Sequence, residues 1–409
     1  MTAPSSVSLL RSMPIWPLLA TLAVQTLATM SLYSVPTVAP EVAHDLGVDA
    51  TLVGGFVATA YGVGILSALL SPGLVRRYGG VRATQVVLLA AAGMLLLAGL
   101  GQGVTSLALA AVVLGLGYGA AAPASTHLLV PQTPRPVFNL VMSLRQIGVP
   151  LGGVLGSLIV PPITVLAGWR VALLVELIPA LLLCLALQRP RERWDAARDP
   201  RRRLPGLRGF LAPFRLLRED PRLIPLSVAS FLYSGIQLCF MAFMTVHLTT
   251  VAGFDLIGAG RALAAYQLAG AVSRPIWGWV ADRFLTPNQT LALQGFVMAG
   301  AALAAGEFGP RWPVLLVVAV ATVAGASAGG YTGIAYAQYA RLGGARRTEA
   351  TGLGTALMFF GVTVIPSAFA LAVTALDGYA GAYAALGVLA LLGAAPLCLP
   401  TRQLPTHPA

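Results

Sequence analysis

SRPIWGWVADR, residues 273–283, decides how this chain is read, because a weakened copy of its surroundings lies 206 residues earlier in a chain of 409. At that offset Gly47 pairs with Gly253, Asp49 with Asp255, Gly54 with Gly260, Ala58 with Ala264, Gly64 with Gly270, Ser67 with Ser273 and Arg77 with Arg283. The matches fall mostly in apolar sequence. A repeat of half the chain in such sequence points to a secondary transporter of two related halves, whose substrate sits between them near the bilayer midplane. The copies differ informatively: Arg274 stands opposite Ala68, and Asp282 opposite Arg76.

Composition places the chain in a bilayer. It is 57% hydrophobic and 10% charged, with a mean hydropathy of +0.81, and a soluble core cannot hide that much apolar surface. Runs of roughly 20 apolar residues, each long enough to cross the hydrocarbon as a helix, recur almost end to end. Twelve are predicted, beginning near Ile15, Thr51, Ala83, Ser106, Phe138, Trp169, Leu223, Gly258, Thr290, Pro313, Glu349 and Ala380. The first run continues to about Pro40 and opens the first repeat, so it reads as a retained helix rather than a signal peptide. Cys184, Cys239 and Cys398 have no disulfide or metal-site spacing and read as packing residues.

A net charge of +12 raises the question of a nucleic-acid partner, and the positions of the basic residues answer it. All 26 are arginine. With the N-terminus inside, 21 fall on cytoplasmic segments: Arg11, the group from Arg76 to Arg82, Arg135, eleven between Arg189 and Arg222, Arg283, the group from Arg341 to Arg347, and Arg402. Arg170, Arg261 and Arg311 alone fall on the other side. This is the positive-inside pattern. It predicts a multi-pass protein of the cell membrane, a bacterial inner membrane, with both termini cytoplasmic, the lipid bilayer as partner and no nucleic acid.

Three units are expected: a six-helix bundle over 1–188, a basic cytoplasmic linker over 189–222, and a second six-helix bundle over 223–409. The linker's first part, RPRERWDAARDPRRRLPG, is too charged and Pro-rich to pack. Its second part, FLAPFRLLRED, interleaves Phe210, Leu211, Phe214, Leu216 and Leu217 with arginines, which suits an interfacial helix against anionic headgroups. In the fifth run Gly148, Gly152 and Gly156 form a small-residue stripe, which suits either tight static packing or a moving interface.

GWVADRF, residues 278–284, sits in the short loop after the eighth run and resembles the loop motif G-x-x-x-D-R-x-G of the major facilitator superfamily. That resemblance covers essentially the whole chain. It implies an all-α membrane protein of twelve transmembrane helices, 6+6 and pseudo-symmetric, with 3+3 inverted repeats in each half. It also implies a gating role for Gly278, Asp282, Arg283, Arg77 and Gly79, with Asp282 bonding across the halves while the protein faces outward. The later glycine of the motif is absent, and Arg76 stands at the acid's position in the first copy, so the family's first-half latch is not expected from it. The fourth run lacks the arginine of many proton-coupled members, and GVPLGG only approximates the antiporter motif. Arg274-Pro275-x-x-Gly278 resembles the eighth-helix motif of monocarboxylate porters, and the arginine's spacing that of oxalate/formate exchangers, which implies that Arg274 binds a substrate carboxylate.

Read from the residues alone, Arg274 lies eight positions before Asp282, about 12 Å inward from its helix end. An intramembrane arginine costs about 2.5 to 3.5 kcal/mol and normally faces a wet cavity or a partner; the alternative is that it snorkels to the surface. Gln267 shares its face. Arg145, three residues before Gly148, is the second embedded cation and is expected to look towards the other half. Together they make a cationic central site suited to a carboxylate or similar anion. Glu176 is the one carboxylate placed in the interior, and it is a possible proton site or a neutraliser of Arg145 or Arg170. Gln25, Thr29 and Tyr33, Ser234 and Gln237, and Thr332, Tyr336 and Tyr339 form polar stripes at helical spacing, of which Gln25, Thr29, Gln237 and Tyr336 are taken as substrate-binding. His127 and His247 read as solvated interface histidines.

No lysine exists to build a P-loop, and nothing resembles a catalytic cluster or metal site. An enzyme is therefore not expected, nor a cofactor or metal. The expected function is alternating-access transport of a small organic anion, a carboxylate, by a chain that works as a monomer. The alternative is an exporter of neutral or amphipathic compounds such as drugs.

Overall fold

The computed structural model describes residues 13–48, 50–196, 198–201, 210 and 212–399, and their regular structure is helical throughout. Arg11, Asp49, linker residues 202–209 and Arg402 lie outside them. The first pass is α1 (Ile15–Thr37), followed by the short α2 (Ala39–Leu46). Helices α3 (Ala50–Tyr78) and α4 (Gly80–Leu100) are the second and third. The fourth is broken into α5 (Val104–Tyr118) and α6 (Ala121–Leu129), the fifth into α7 (Phe138–Gln146) and α8 (Gly148–Ala167), and the sixth into α9 (Trp169–Val175) and α10 (Leu177–Ala186). The linker carries α11 (Arg191–Trp194) and α12 (Ala212–Glu219). The second half is α13 (Leu223–Thr250), α14 (Leu256–Arg283), α15 (Pro287–Gly306), α16 (Val314–Ala328) with α17 (Thr332–Gly343), α18 (Arg347–Ala375) and α19 (Tyr379–Cys398).

Ten stretches are long and apolar enough to cross a membrane, and one of them, residues 314–375, holds two passes. The pass that such a count omits is α14, whose Gln267, Arg274, Asp282 and Arg283 lower its apolar average. Long aliphatic side chains such as Leu158, Leu166, Leu182, Leu315 and Leu371 stand exposed on the outside, where a bilayer covers them. Inside, one apolar core is built from the first-half helices other than α7, with Phe359 of α18, and another mainly from α13–α19. The second also takes in Phe138, Val141 and Met142 of α7, so α7 is where the halves merge.

That merger lies at the arginine-rich end. The Asp282 carboxylate, at the end of α14, accepts the Asn139 N–H (3.1 Å), the Leu140 N–H (2.9 Å) and the Asn139 side-chain amide (2.7 Å) in the first turn of α7. An acid of one half thus caps a helix of the other, where free N–H groups and the helix dipole both favour negative charge. Gly278, one turn earlier, lets the backbones meet: a Cβ there would lie 2.8 Å from Asn139 O, Leu140 Cα and Ser143 Oγ. At the equivalent place in the first half, Arg76 reaches Glu349 in the first turn of α18 at 2.5 Å. Arg76 thus carries no aspartate-type contact but does pair across the halves, with the charges exchanged relative to Asp282.

Three expectations are corrected, those for the linker, its interfacial helix and His247, and the glycine stripe is placed. The start of the linker does pack where it is described, through Trp194 and Asp195. Asp195, just after α11, is 1% exposed and accepts the Val81 and Arg82 N–H groups at 2.9 and 3.3 Å. Its carboxylate fills the space where a Cβ on Gly79 would lie, and Gly79 has φ +97°, so only glycine fits. Burial raises the Asp195 carboxyl above the ordinary range against the lowering effect of those N–H bonds. The interfacial helix exists as α12, but Phe210 and Phe214 pack on Ala68, Leu69 and Ala356, covering the seam between α3 and α18. The Gly148 and Gly152 stripe faces α1 of its own half, against Leu22, Gln25, Thr26 and Met30, because α7 and α8 are separated at Ile147 and the glycine face no longer continues the first segment. His247 is buried and stacked on Tyr379 at 4.5 Å rather than solvated.

Candidate functional site

Between the halves lie two adjoining cavities, of 90 and 250 Å³, that share Val149, Gln237 and Arg274 in their walls. The smaller is central, lined by Gln25, Arg145 and Gln146 from one half and by Ser234, Tyr336, Thr355 and Phe359 from the other. The larger runs towards the end away from the arginine-rich loops, past Tyr33, Thr37, Ser157, Met241 and Gln267. No carboxylate is present among the described residues lining either cavity.

Arg274 and Arg145 are 3% and 2% exposed, which settles the question of snorkelling for both. Arg274 donates through Nε to Gly329 O (2.8 Å) and through Nη1 to Gln146 O (2.5 Å). Both acceptors are carbonyls near helix breaks, of α16–α17 and of α7–α8, where C=O groups lack their helical donors. Its Nη2 takes no acceptor among the described residues. Arg145 donates through Nη2 to Gln25 Oε1 (2.6 Å) and through Nη1 to Gln146 Oε1, while its Nε is unpartnered. Gln146 therefore touches both arginines, one by its side chain and one by its backbone. Neither cation meets an acid, so the site carries two fixed positive charges held in place by neutral dipoles.

Gln25 is in turn held by its amide, which donates to Thr29 Oγ1 (2.9 Å) and the Tyr118 hydroxyl (3.2 Å). Thr29 is fully buried behind the cavity wall as part of that network. Gln237 and Gln267 line the larger cavity beside Arg274. The Tyr336 hydroxyl bonds Thr355 at 3.2 Å in the smaller one. Glu176 is apart from both: it is 4% exposed between α9 and α10, with the Ser34 hydroxyl of α1 beside it. Arg77 lies over the Tyr78 ring at 5.3 Å, and Arg283 ends α14.

Sequence reading missed the aromatic wall. Phe359 of α18 meets Tyr61 of α3 edge-on at 4.8 Å and stacks on Tyr118 at 5.7 Å, joining the halves under the cavity. Tyr331 and Gln146 were also missed. A signal existed for Tyr118, the one aromatic in GLGYG; the glycines on either side of it admit Ala90 and the Gly64–Ala68 backbone.

Two six-helix bundles thus enclose a polar cavity between them. The chain belongs to the Major Facilitator Superfamily, whose family model matches residues 21–305, and so is a transporter rather than an enzyme. The 4-hydroxybenzoate transporter PcaK of Acinetobacter baylyi is 25% identical over 301 residues, 66% of this chain and 64% of that protein. PcaK of Pseudomonas aeruginosa is 28% identical over 297 residues, 64% of each. A probable nitrate/nitrite transporter, NarK2 of Mycobacterium tuberculosis, is 30% identical over 132 residues, 29% of this chain and 33% of that one. The chain thus matches less than two thirds of the length of these relatives. Among solved structures, the fucose transporter FucP in the outward conformation has a TM-score of 0.72 at 12% identity, covering 94% of this chain and 99% of that one. A human organic anion transporter has a TM-score of 0.72 at 16% identity with the same coverage. These two share the fold.

Proposed function

We propose that the protein carries a small organic anion, an aromatic monocarboxylate, across a bacterial inner membrane by alternating access, working as a monomer. The supporting observation is Arg274: a buried guanidinium fixed by two carbonyls, with one nitrogen left over at the cavity, in a site with no acid to neutralise it. A carboxylate would take Nη2 and gain a charge-assisted hydrogen bond, and Tyr61, Tyr118 and Phe359 offer ring faces and edges to an arene. The hydroxybenzoate specificity of the relatives supports the same class.

With the termini and arginine-rich loops taken as cytoplasmic, residues 1–188 and 223–409 would rock about the site, Asp282 and Arg76 releasing their partners as the cytoplasmic end opens. Glu176 is the residue assigned to any coupling proton. Its place behind α1 lets a change of charge act on the helix that carries Gln25. The test is uptake of labelled 4-hydroxybenzoate by proteoliposomes. Wild-type uptake that is saturable and is abolished in Arg274→Ala supports the assignment. Transport of benzoates unaffected by Arg274→Ala, or transport of amphipathic drugs alone, overturns it. Uptake by Glu176→Gln that no longer responds to an imposed pH gradient supports the proton assignment.

A further inference from the structure

A cavity of 340 Å³ on the flank of the first half, separated from the substrate cavity by the fourth pass, has no role in the transport cycle described above. Its floor is one stripe of α3, Ser67, Ser71, Leu74 and Tyr78, and its far wall is Ala83 and Val86 of α4 with Leu116 of α5. From Ser67 to Tyr78 the stripe runs about 16 Å along the helix axis. The slot therefore extends from the arginine-rich end roughly to mid-membrane. Leu74, Tyr78, Val86 and Leu116 are each more than 40% exposed on the lipid side, so the slot opens to the bilayer and not to water.

Its two ends differ chemically. At the deep end Ser67 and Ser71 give their hydroxyl protons to the carbonyls of Leu116 (2.6 Å) and Ala68 (3.2 Å), which leaves an apolar lining. At the mouth stand Arg82 and Arg191. Arg82 donates to the Gln85 amide through Nη1 alone, and the buried Nε of Arg191 has no acceptor. The nearby Asp195 carboxylate is taken up by the N–H groups of Val81 and Arg82, and neither arginine forms an ion pair among the described residues. An apolar slot of that length, open to lipid and ending at headgroup level in two guanidiniums against one buried carboxylate, Asp195, whose oxygens are taken by backbone N–H groups, keeps a net positive mouth and matches an acyl chain with an anionic head.

We propose that this slot binds an anionic phospholipid, one acyl chain lying along α3 and the phosphate held between Arg82 and Arg191. Because Arg191 belongs to the linker and Arg82 to the first bundle, the bound lipid fastens the linker to α3 and α4 beside the plug that Asp195 makes at Gly79.

The test uses the full chain in detergent, titrated with phosphatidylglycerol or phosphatidylcholine, with retained lipid counted by native mass spectrometry and stability followed by thermal unfolding. Phosphatidylglycerol should be retained and stabilising where phosphatidylcholine is not. Arg82→Gln and Arg191→Gln should each weaken retention about fivefold. Val86→Trp, on an exposed position that projects over the slot, should displace the lipid with both arginines intact, which separates loss of the site from loss of the fold. Equal retention of the two lipids, unchanged retention in the three variants, or stabilisation by glycerol 3-phosphate without a chain would each overturn the proposal.

Discussion

Arg145 and Arg274 sit in similar surroundings but are fixed differently, and substitution separates them. Arg145 is fully enclosed by two amide side chains. Removing a buried charge that has no counter-ion relieves desolvation, so Arg145→Gln is expected to raise thermal stability, by about 1–3 kcal/mol, while weakening anion binding. A lower melting temperature would show instead that Gln25 and Gln146 depend on it. Arg274 uses two nitrogens on carbonyls and offers the third. A lysine is a point charge on a flexible stem and cannot hold that fork, so Arg274→Lys should still lose about tenfold or more in uptake. Both arginines were legible in the sequence because a charge in an apolar run is conspicuous. Tyr61, Tyr331 and Phe359 were not, since an aromatic side chain in such a run looks the same whether it faces lipid, a neighbour or a cavity, and only packing across the two halves decides between them.

At the scale of elements, the halves meet at the arginine-rich end through helix starts, α7 meeting Asp282 and α18 meeting Arg76. The exchanged polarity of the second pair makes it open to a swap. Arg76→Glu or Glu349→Arg alone should favour opening at this end, and the two together should restore closure, with a coupling of about 0.5–3 kcal/mol read from alkylation of a cysteine placed at Ser143. Gly278→Ala should open the same end, because a Cβ there runs into the α7 backbone. At the other end Arg170 donates to Asp45 of α2 and holds its carboxyl below the usual range, with Trp169 Nε1 on the same oxygen at 3.2 Å. The pair contributes fully above the ordinary carboxylate range and is lost as pH falls through the lowered value, below 3.8. Acid melting curves of Asp45→Asn should therefore flatten where the wild type declines. The sequence foretold the passes to within a few residues, since their apolar length is set by the bilayer. It did not foretell the breaks at Ile147 and Glu176 or the packing of α11 and α12, because these are settled by partners distant in the chain, such as Gly79 for Asp195 and the α3–α18 seam for Phe214.

For the molecule as a whole, closure is concentrated at one end and the cavity lies towards the other, so a carboxylate that binds Arg274 should stabilise the wild type by about 2.7 kcal/mol at a hundredfold excess over its dissociation constant and Arg274→Ala not at all. The two arginines with no acid between them also bear on kinetics. To reorient empty, the carrier must enclose two like charges in a low-dielectric interior without a counter-ion. Reorienting with a bound carboxylate, it encloses one net charge. The empty return is the slower half of the cycle, and the protein will exchange anions across the membrane faster than it accumulates them: unlabelled substrate on the far side should accelerate uptake of the label.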